Sequence, residues 1–239
     1  MKVDRFKLIK RAVLFLAILF VISVLFGFTL MSTITKAFIF PIFLYLYLSE
    51  SEVKSKSFIG FLTIFSIAGI YAVIVALNAT FYSHLGSIPY VVAYICLLIY
   101  IIKGFDFKEL FKRFKYYLLV LVAFNIYVIF ILNQMILEDE SLKVNTLEFM
   151  FEGMYNLCVL LVLSFSLLNY LYHDSKTSFL LFVASVCIVF SEMVQVAYIF
   201  ISADYILNVA YSTLLIIGFY FVYMYIETKI NNNNYSLLP

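Results

Sequence analysis

Eight long apolar runs dominate the pattern of hydrophobic and polar positions along the 239-residue chain. They cover residues 12–33, 36–49, 58–77, 86–102, 116–137, 151–172, 178–201 and 205–226. Most reach the roughly 20 residues that an α-helix needs to cross about 30 Å of hydrocarbon. The pattern therefore predicts an all-α, polytopic transmembrane helix bundle of about eight helices. We expect a single transmembrane domain over 1–239, with a disordered tail at 230–239.

Lysine and arginine predict the orientation of these helices. If the N-terminus is inside, 14 of the 16 basic residues lie on the inner side, and only Lys36 and Lys143 lie outside. Such an asymmetry is typical of cytoplasmic loops. It predicts that both ends of the chain are cytoplasmic. The abundance of Lys, Ile, Asn, Phe and Tyr is typical of AT-rich bacterial genomes, so we expect a multi-pass protein of a bacterial inner membrane.

Composition changes this picture little and excludes several classes of function. The chain is 65% hydrophobic and 13% charged, against roughly 45–50% and about 25% in soluble domains. The net charge of +2 carries no nucleic-acid signature. Three cysteines lack C-x-x-C spacing, and the two histidines lack further ligands at metal-binding distances in sequence. We therefore expect no metal, no cofactor and no nucleic-acid partner, and the oligomeric state is left open.

The segment 104–115 combines aromatic and basic residues at helical spacing. Phe105, Phe107, Leu110, Phe111 and Phe114 recur at helical spacing, interleaved with lysines and an arginine. This pattern is typical of an amphipathic helix that lies on the inner leaflet. The alternative is an ordinary basic loop that leads into the fifth transmembrane helix.

Glu192 is the one clear ionisable residue inside a predicted transmembrane helix. Such residues are rare because they cost about 2.5–3.5 kcal/mol or more at mid-helix, and they are candidates for function. Ser185, Gln195 and Ser202 lie close to the same helical stripe. Glu192 is therefore either a functional acid or part of a hydrogen-bonded clamp between helices.

Other polar groups are expected in the same outer half of the bilayer. Lys36 and Glu152 lie near predicted helix ends, and Tyr155 and Asn156 follow Glu152 on one face. Together with Glu192 they could line a polar cavity in which Lys36 pairs with Glu192. Alternatively, Lys36 extends to the outer headgroups, and Glu152 interacts with a helix dipole. Three further amides are expected to join neighbouring helices, namely Asn125, Asn133 and Gln134.

Four segments resemble the YhhN-like family of eight-helix membrane proteins, which includes lysoplasmalogenases. Residues 35–41, TKAFIFP, resemble the K-P-L-x-x-P start of the second helix, with Ala37 in place of the first proline. Residues 65–70, FSIAGI, resemble the S-x-x-G-D segment, with Ile70 in place of the acid. Residues 189–192, VFSE, resemble F-x-x-S-D, with Glu192 for Asp, and the helix that carries Tyr155 is similar to the sixth. Tyr94 lies in the stretch where the family has a histidine.

The resemblance implies hydrolysis of the vinyl-ether bond of lysoplasmalogens, with a membrane lipid as the substrate. Glu192 would be catalytic, as the proton donor. Lys36, Asn156, Gln195 and Glu152 would contact substrate or water, and Glu152 could also supply the second carboxyl that helix three lacks. The alternative is a non-catalytic protein on the same helices that binds lipid or a partner, or acts as a sensor.

Overall fold

A computed structural model describes residues 2–77, 87–137, 147–202 and 204–235. Within these ranges all regular secondary structure is helical, and eight helices follow one another. They are α1 (Lys2–Leu25), α2 (Thr29–Glu50), α3 (Lys56–Leu77), α4 (Ser87–Ile102), α5 (Phe107–Leu137), α6 (Leu147–His173), α7 (Lys176–Phe200) and α8 (Tyr205–Tyr235). The predicted all-α bundle of about eight helices is confirmed.

Seven of these helices are long and apolar enough to cross a membrane. The exception is α4, whose 16 residues span about 24 Å, somewhat less than a typical hydrocarbon core. The chain is thus a multi-pass membrane protein by the length and composition of its described helices. The inside location of both termini and the bacterial inner membrane remain predictions.

The boundary between the first two helices differs from the predicted one. Hydropathy joined 12–33 into one run, but α1 ends at Leu25 and α2 begins at Thr29. Gly27 occupies the left-handed region at φ 73°, which an L side chain rarely adopts, so the break falls inside the apolar run. As a result Lys36 lies in the second turn of α2 and not at its start.

Two compact units are formed by the chain, one by residues 1–93 with 226–239 and the other by residues 94–225. That the whole chain is one domain stays a prediction. Helix α8 reaches Tyr235, so it continues beyond residue 230, where the tail was predicted to begin. Residues 236–239 lie outside the described ranges.

The first unit has an aromatic core where α2 packs on α3. Phe40 stacks on Phe65 with ring centroids 3.9 Å apart, and further phenylalanines surround this pair. The helices approach closely because Gly69 faces Ala37: a Cβ on Gly69 would lie 3.0 Å from the Ala37 Cα. Pro41 lies one turn further along α2 and removes the amide that would bond the Ala37 carbonyl.

In the second unit α5, α6 and α7 pack against one another. Asn125 and Ser164 form a reciprocal buried pair: Asn125 Nδ2 donates to Ser164 Oγ at 2.9 Å, and Ser164 Oγ donates to Asn125 Oδ1 at 3.1 Å. This confirms that Asn125 joins two helices. Ser175 and Ser178 form a capping box at the start of α7, which fixes where this helix begins after the turn.

Helix α5 has a kink near its start. Phe114 has non-helical backbone angles, φ −117° and ψ 21°, so a short helical segment over 107–113 precedes the transmembrane part. Leu110 and Phe114 are buried against Leu168 and Tyr172 of α6. The kink separates the amphipathic segment from the span that follows it.

Candidate functional site

Glu192 and Asn156 lie at the same depth of the second unit. Helices α6 and α7 are antiparallel neighbours joined by a tight turn at Asp174 and Ser175. Asn156 lies 17 residues before the end of α6 and Glu192 lies 16 residues after the start of α7. At 1.5 Å per residue these distances are about 26 Å and about 24 Å. A polar layer is therefore built far from the turn, in a part of the helices that is otherwise apolar.

Glu152 belongs to the same layer. It lies one helical turn from Asn156 on the same face of α6. Its carboxyl group is close enough to Glu192 for the charge of Glu192 to act on it. The structure thus brings together the two carboxyl groups that the sequence had separated by 40 positions, and both side chains are half-buried.

Asn156 provides an amide donor beside these acids. Its side chain is 3% exposed, and Nδ2 has no hydrogen-bond partner among the described residues. An unsatisfied buried donor costs about 1–3 kcal/mol, so such groups are rare in folded proteins. A donor in this position can bind an acceptor oxygen of a ligand.

Helix α8 contributes a hydroxyl at this level through its packing on α7. Ser191, which is fully buried, donates from Oγ to the carbonyl of Tyr211 at 3.0 Å. The next residue of α8, Ser212, is 2% exposed, and its Oγ has no hydrogen-bond partner in the described part of the chain. Gly218 allows the close contact, since a Cβ there would meet Ile188 Cγ1 at 2.8 Å.

Tyrosines cover another side of the layer. The rings of Tyr94 in α4 and Tyr155 in α6 make an edge-to-face contact with centroids 5.8 Å apart. Tyr155 adjoins Asn156 in sequence, so this contact fixes α4 at the level of the acids. Tyr94 lies in the stretch where the family resemblance expects a histidine, and here an aromatic hydroxyl takes that place.

The predicted stripe on α7 is confirmed only in part. Gln195 follows Glu192 by one turn and is half-buried. Ser185 is buried, but its Oγ donates to the Leu181 carbonyl of its own helix at 2.9 Å. Ser202 lies beyond the end of α7 and is exposed, so it does not belong to the stripe. A helical stripe presumes a regular helix, and α7 stops at Phe200.

Lys36 lies in the other unit, in the second turn of α2, and its side chain is half-buried. Its predicted pairing with Glu192 therefore stays a prediction. The position of the missing family acid, Ile70, is also in this unit and is 53% exposed. Its neighbour Gly69 has a structural role, because it allows α2 and α3 to touch.

Sequence reasoning missed Ser191 and Ser212 as members of the layer. Ser191 directly precedes Glu192 in the quoted segment 189–192, which was the signal that could have found it, whereas Ser212 stands in an apolar run beside Thr213 and offered no such signal. The amides on α5 differ from one another. Asn133 Oδ1 is buried and has no hydrogen-bond partner among the described residues, whereas Gln134 is exposed. Within the described ranges no three His, Cys, Asp or Glu side chains come together as metal ligands.

Comparisons with protein-family models, with curated proteins and with solved structures give no match for this chain. The candidate site of this chain is therefore the polar layer of the second unit, which contains two carboxyl groups, a buried amide donor, a buried hydroxyl and two tyrosines.

Proposed function

We propose that this chain is a YhhN-like membrane hydrolase that cleaves the vinyl-ether bond of lysoplasmalogens. The proximity of Glu152 and Glu192 is the observation that carries the proposal. The sequence resemblance identified one acid, Glu192, where the chemistry needs two, and Glu152 supplies a second acid from α6. The pair lies within helices that are long enough to span a bilayer, the phase in which a lysolipid substrate is held.

The reaction explains why two carboxyl groups are useful. A neutral carboxyl must donate a proton to the outer vinyl carbon, which leaves an oxocarbenium ion at the carbon bonded to oxygen. A carboxylate then takes a proton from water as the water oxygen attacks that carbon. The resulting hemiacetal loses its hydroxyl proton while its ether bond breaks and the leaving oxygen is protonated. The products are an aldehyde and the glycerophospho-alcohol.

Position within the helices assigns the two roles. Glu192 lies eight residues, or about 12 Å, before the end of α7, within apolar helix. Glu152 lies in the second turn of α6, only about 8 Å from its first residue, and water reaches a helix end more easily than a helix centre. We therefore assign Glu192 as the acid and Glu152 as the base.

The remaining groups bind substrate in this proposal. Asn156 Nδ2 donates to an oxygen of the lipid, which satisfies a donor that has no partner in the described residues. Gln195, one turn from Glu192, holds the attacking water. Lys36 belongs to the other unit, so its predicted contact with the substrate stays a prediction.

The second candidate is a protein that binds such a lipid without turnover. It is favoured by Ile70, an apolar residue where the family resemblance expects the helix-three acid. In that case the same amide donor would recognise a lipid oxygen, and the carboxyl pair would serve only as a hydrogen-bonding clamp between α6 and α7.

The test is aldehyde release from a lysoplasmalogen by the detergent-purified chain. Glu192→Gln and Glu152→Gln should each lower turnover by about 10²-fold or more, since general acid–base catalysis contributes about 10²–10⁴. The turnover of the double variant should be about equal to that of the slower single variant, because the two residues act as a unit. Glu52→Gln, on the exposed loop after α2, is the matched control and should leave turnover unchanged.

Two results separate the candidates. If the folded wild type releases no aldehyde but retains a labelled lysolipid, and Asn156→Leu abolishes this retention, the lipid-binding function replaces the hydrolase. If turnover survives both single substitutions, the carboxyl pair is not the catalytic site.

A further inference from the structure

The short helical segment 107–113 before the kink of α5 lies apart from the polar layer and carries a feature that the proposed hydrolase does not use. Helix α5 has 31 residues and is about 46 Å long, whereas hydrocarbon is about 30 Å thick. The part after the kink, residues 115–137, measures about 35 Å and suffices for the span. The segment 107–113 is therefore left at the membrane surface.

Aromatic residues mark the level of that surface. Tyr116 and Tyr117 follow the kink directly and are exposed. Exposed tyrosines at helix ends are typical of the membrane–water interface. Tyr172 and His173 at the end of α6 lie beside the segment, since Tyr172 contacts Phe105 and Phe114. The segment is therefore held by α6 at headgroup level.

One face of the segment 107–113 packs against α6, and the adjoining face is exposed. Leu110 is 1% exposed and Phe114 is buried, both against α6. Phe107 and Phe111, on the next face of the same helix, are 45% and 61% exposed. Lys108 and Lys112 follow these two phenylalanines around the helix and are exposed. Apolar rings next to long cationic side chains suit the boundary between acyl chains and headgroups.

The acids of the segment are already engaged within the protein. Asp106 Oδ1 accepts the backbone amide of Lys108 at 3.0 Å, as a cap of α5. Glu109 Oε2 accepts the Tyr172 hydroxyl at 2.7 Å. Residues 105–115 contain four cations and two acids, so this stretch has a net charge of +2. The charge is complementary to an anionic surface and not to a neutral one.

We propose that residues 105–115 form a binding surface for anionic phospholipid headgroups, in the leaflet where α5 begins. Phe107 and Phe111 insert between the first methylenes of the acyl chains. Lys108, Lys112 and Arg113 bind the phosphates. The surface concentrates anionic lipid around the second unit, whatever reaction the polar layer performs.

The chain contains no tryptophan, so a Phe111→Trp variant has a single tryptophan on this surface, and its fluorescence is excited selectively, apart from that of the 20 tyrosines. The full chain is reconstituted in phosphatidylcholine vesicles with a fixed 20% of phosphatidylglycerol. Bromine, a short-range quencher, is placed either on the phosphatidylglycerol or on an equal amount of the phosphatidylcholine, so that vesicle charge is identical. Stronger quenching by the brominated anionic lipid measures its local enrichment.

We expect a relative association constant of at least about fivefold in favour of phosphatidylglycerol, the contribution of one cation near an anionic membrane. Lys108→Gln, Lys112→Gln and Arg113→Gln together should return this ratio to about 1. The control pair Lys54→Gln and Lys56→Gln, in the loop before α3 and at the first residue of α3, should leave it unchanged.

A second probe controls for the position in the bilayer. Tyr45→Trp places a fluorophore at an exposed site near the end of α2, without interleaved cations, and should give a ratio of about 1. A ratio of about 1 for Phe111→Trp would overturn the proposal. So would the absence of quenching by either lipid, because the segment would then not touch the membrane.

Discussion

Replacement of Gly69 by alanine tests how closely α2 and α3 must pack. The added Cβ would lie 3.0 Å from the Cα, 3.2 Å from the Cβ and 3.4 Å from the carbonyl oxygen of Ala37. Favourable carbon–carbon separations are about 3.5–4.0 Å. The two helices must therefore separate by about 0.5–1 Å, because the nearest atom belongs to the backbone and cannot rotate away.

The expected loss of stability is the difference between two effects. Overpacking of this kind costs about 1–3 kcal/mol. Alanine in place of glycine within a helix regains up to about 1 kcal/mol. Gly153 in α6 is the matched control, since a Cβ there meets no described atom within 4 Å. The difference between the Gly69→Ala and Gly153→Ala variants cancels the helix-propensity gain and should be about 1–3 kcal/mol.

The measurement is unfolding in mixed micelles as the fraction of sodium dodecyl sulfate rises, followed by near-ultraviolet circular dichroism of the tyrosines. Gly69→Ala should unfold at a lower detergent fraction than the wild type, and Gly153→Ala should not. If Gly69→Ala were as stable as Gly153→Ala, the close approach of α2 and α3 would be wrong. Gly69→Leu should be less stable than Gly69→Ala, since its side chain must displace more of α2.

The same unfolding assay tests three further contacts. Asn125→Ala and Ser164→Ala, combined in a double-mutant cycle, should show a coupling free energy of about 0.6–1.7 kcal/mol, from the average to the maximum for hydrogen bonds between membrane helices. A coupling of zero would refute the reciprocal pair. Ser175→Ala should destabilise by about 1 kcal/mol through loss of the α7 cap, and unchanged stability would argue against the capping box. Gly218→Ala should destabilise by about 1–3 kcal/mol, and Ile188→Ala should relieve part of that loss if these two residues are the ones in contact.

The resemblance at residues 65–70 has a different meaning in the light of the fold. Gly69 fits a structural need, the contact with Ala37, and Ile70 is exposed. The proposed second acid comes from α6, since Glu152 lies close to Glu192. The carboxyl pair of the proposed hydrolase is built from two adjacent helices of one unit.

The sequence alone was sufficient for the number and type of the elements. A helix in hydrocarbon must satisfy its own backbone and present apolar side chains, so each span is a long apolar run that hydropathy detects. The sequence also predicted that Asn125 links two helices, because a side-chain amide in hydrocarbon needs a hydrogen-bond partner. The break at Gly27 escaped detection, since a turn between two apolar helices leaves the hydropathy high.

Only the tertiary structure decided which polar groups meet. Glu152 and Glu192 are 40 residues apart, and nothing in the local pattern tells which face of α6 meets which face of α7. Their proximity depends on how far each residue lies from the turn at Asp174 along α6 or α7. It also depends on how packing rotates each of these helices about its own axis. The kink at Phe114 has the same origin, because burial of Leu110 and Phe114 against α6 holds the segment 107–113. Local pattern determines the helices of this protein, whereas its candidate sites depend on contacts between residues far apart in the chain.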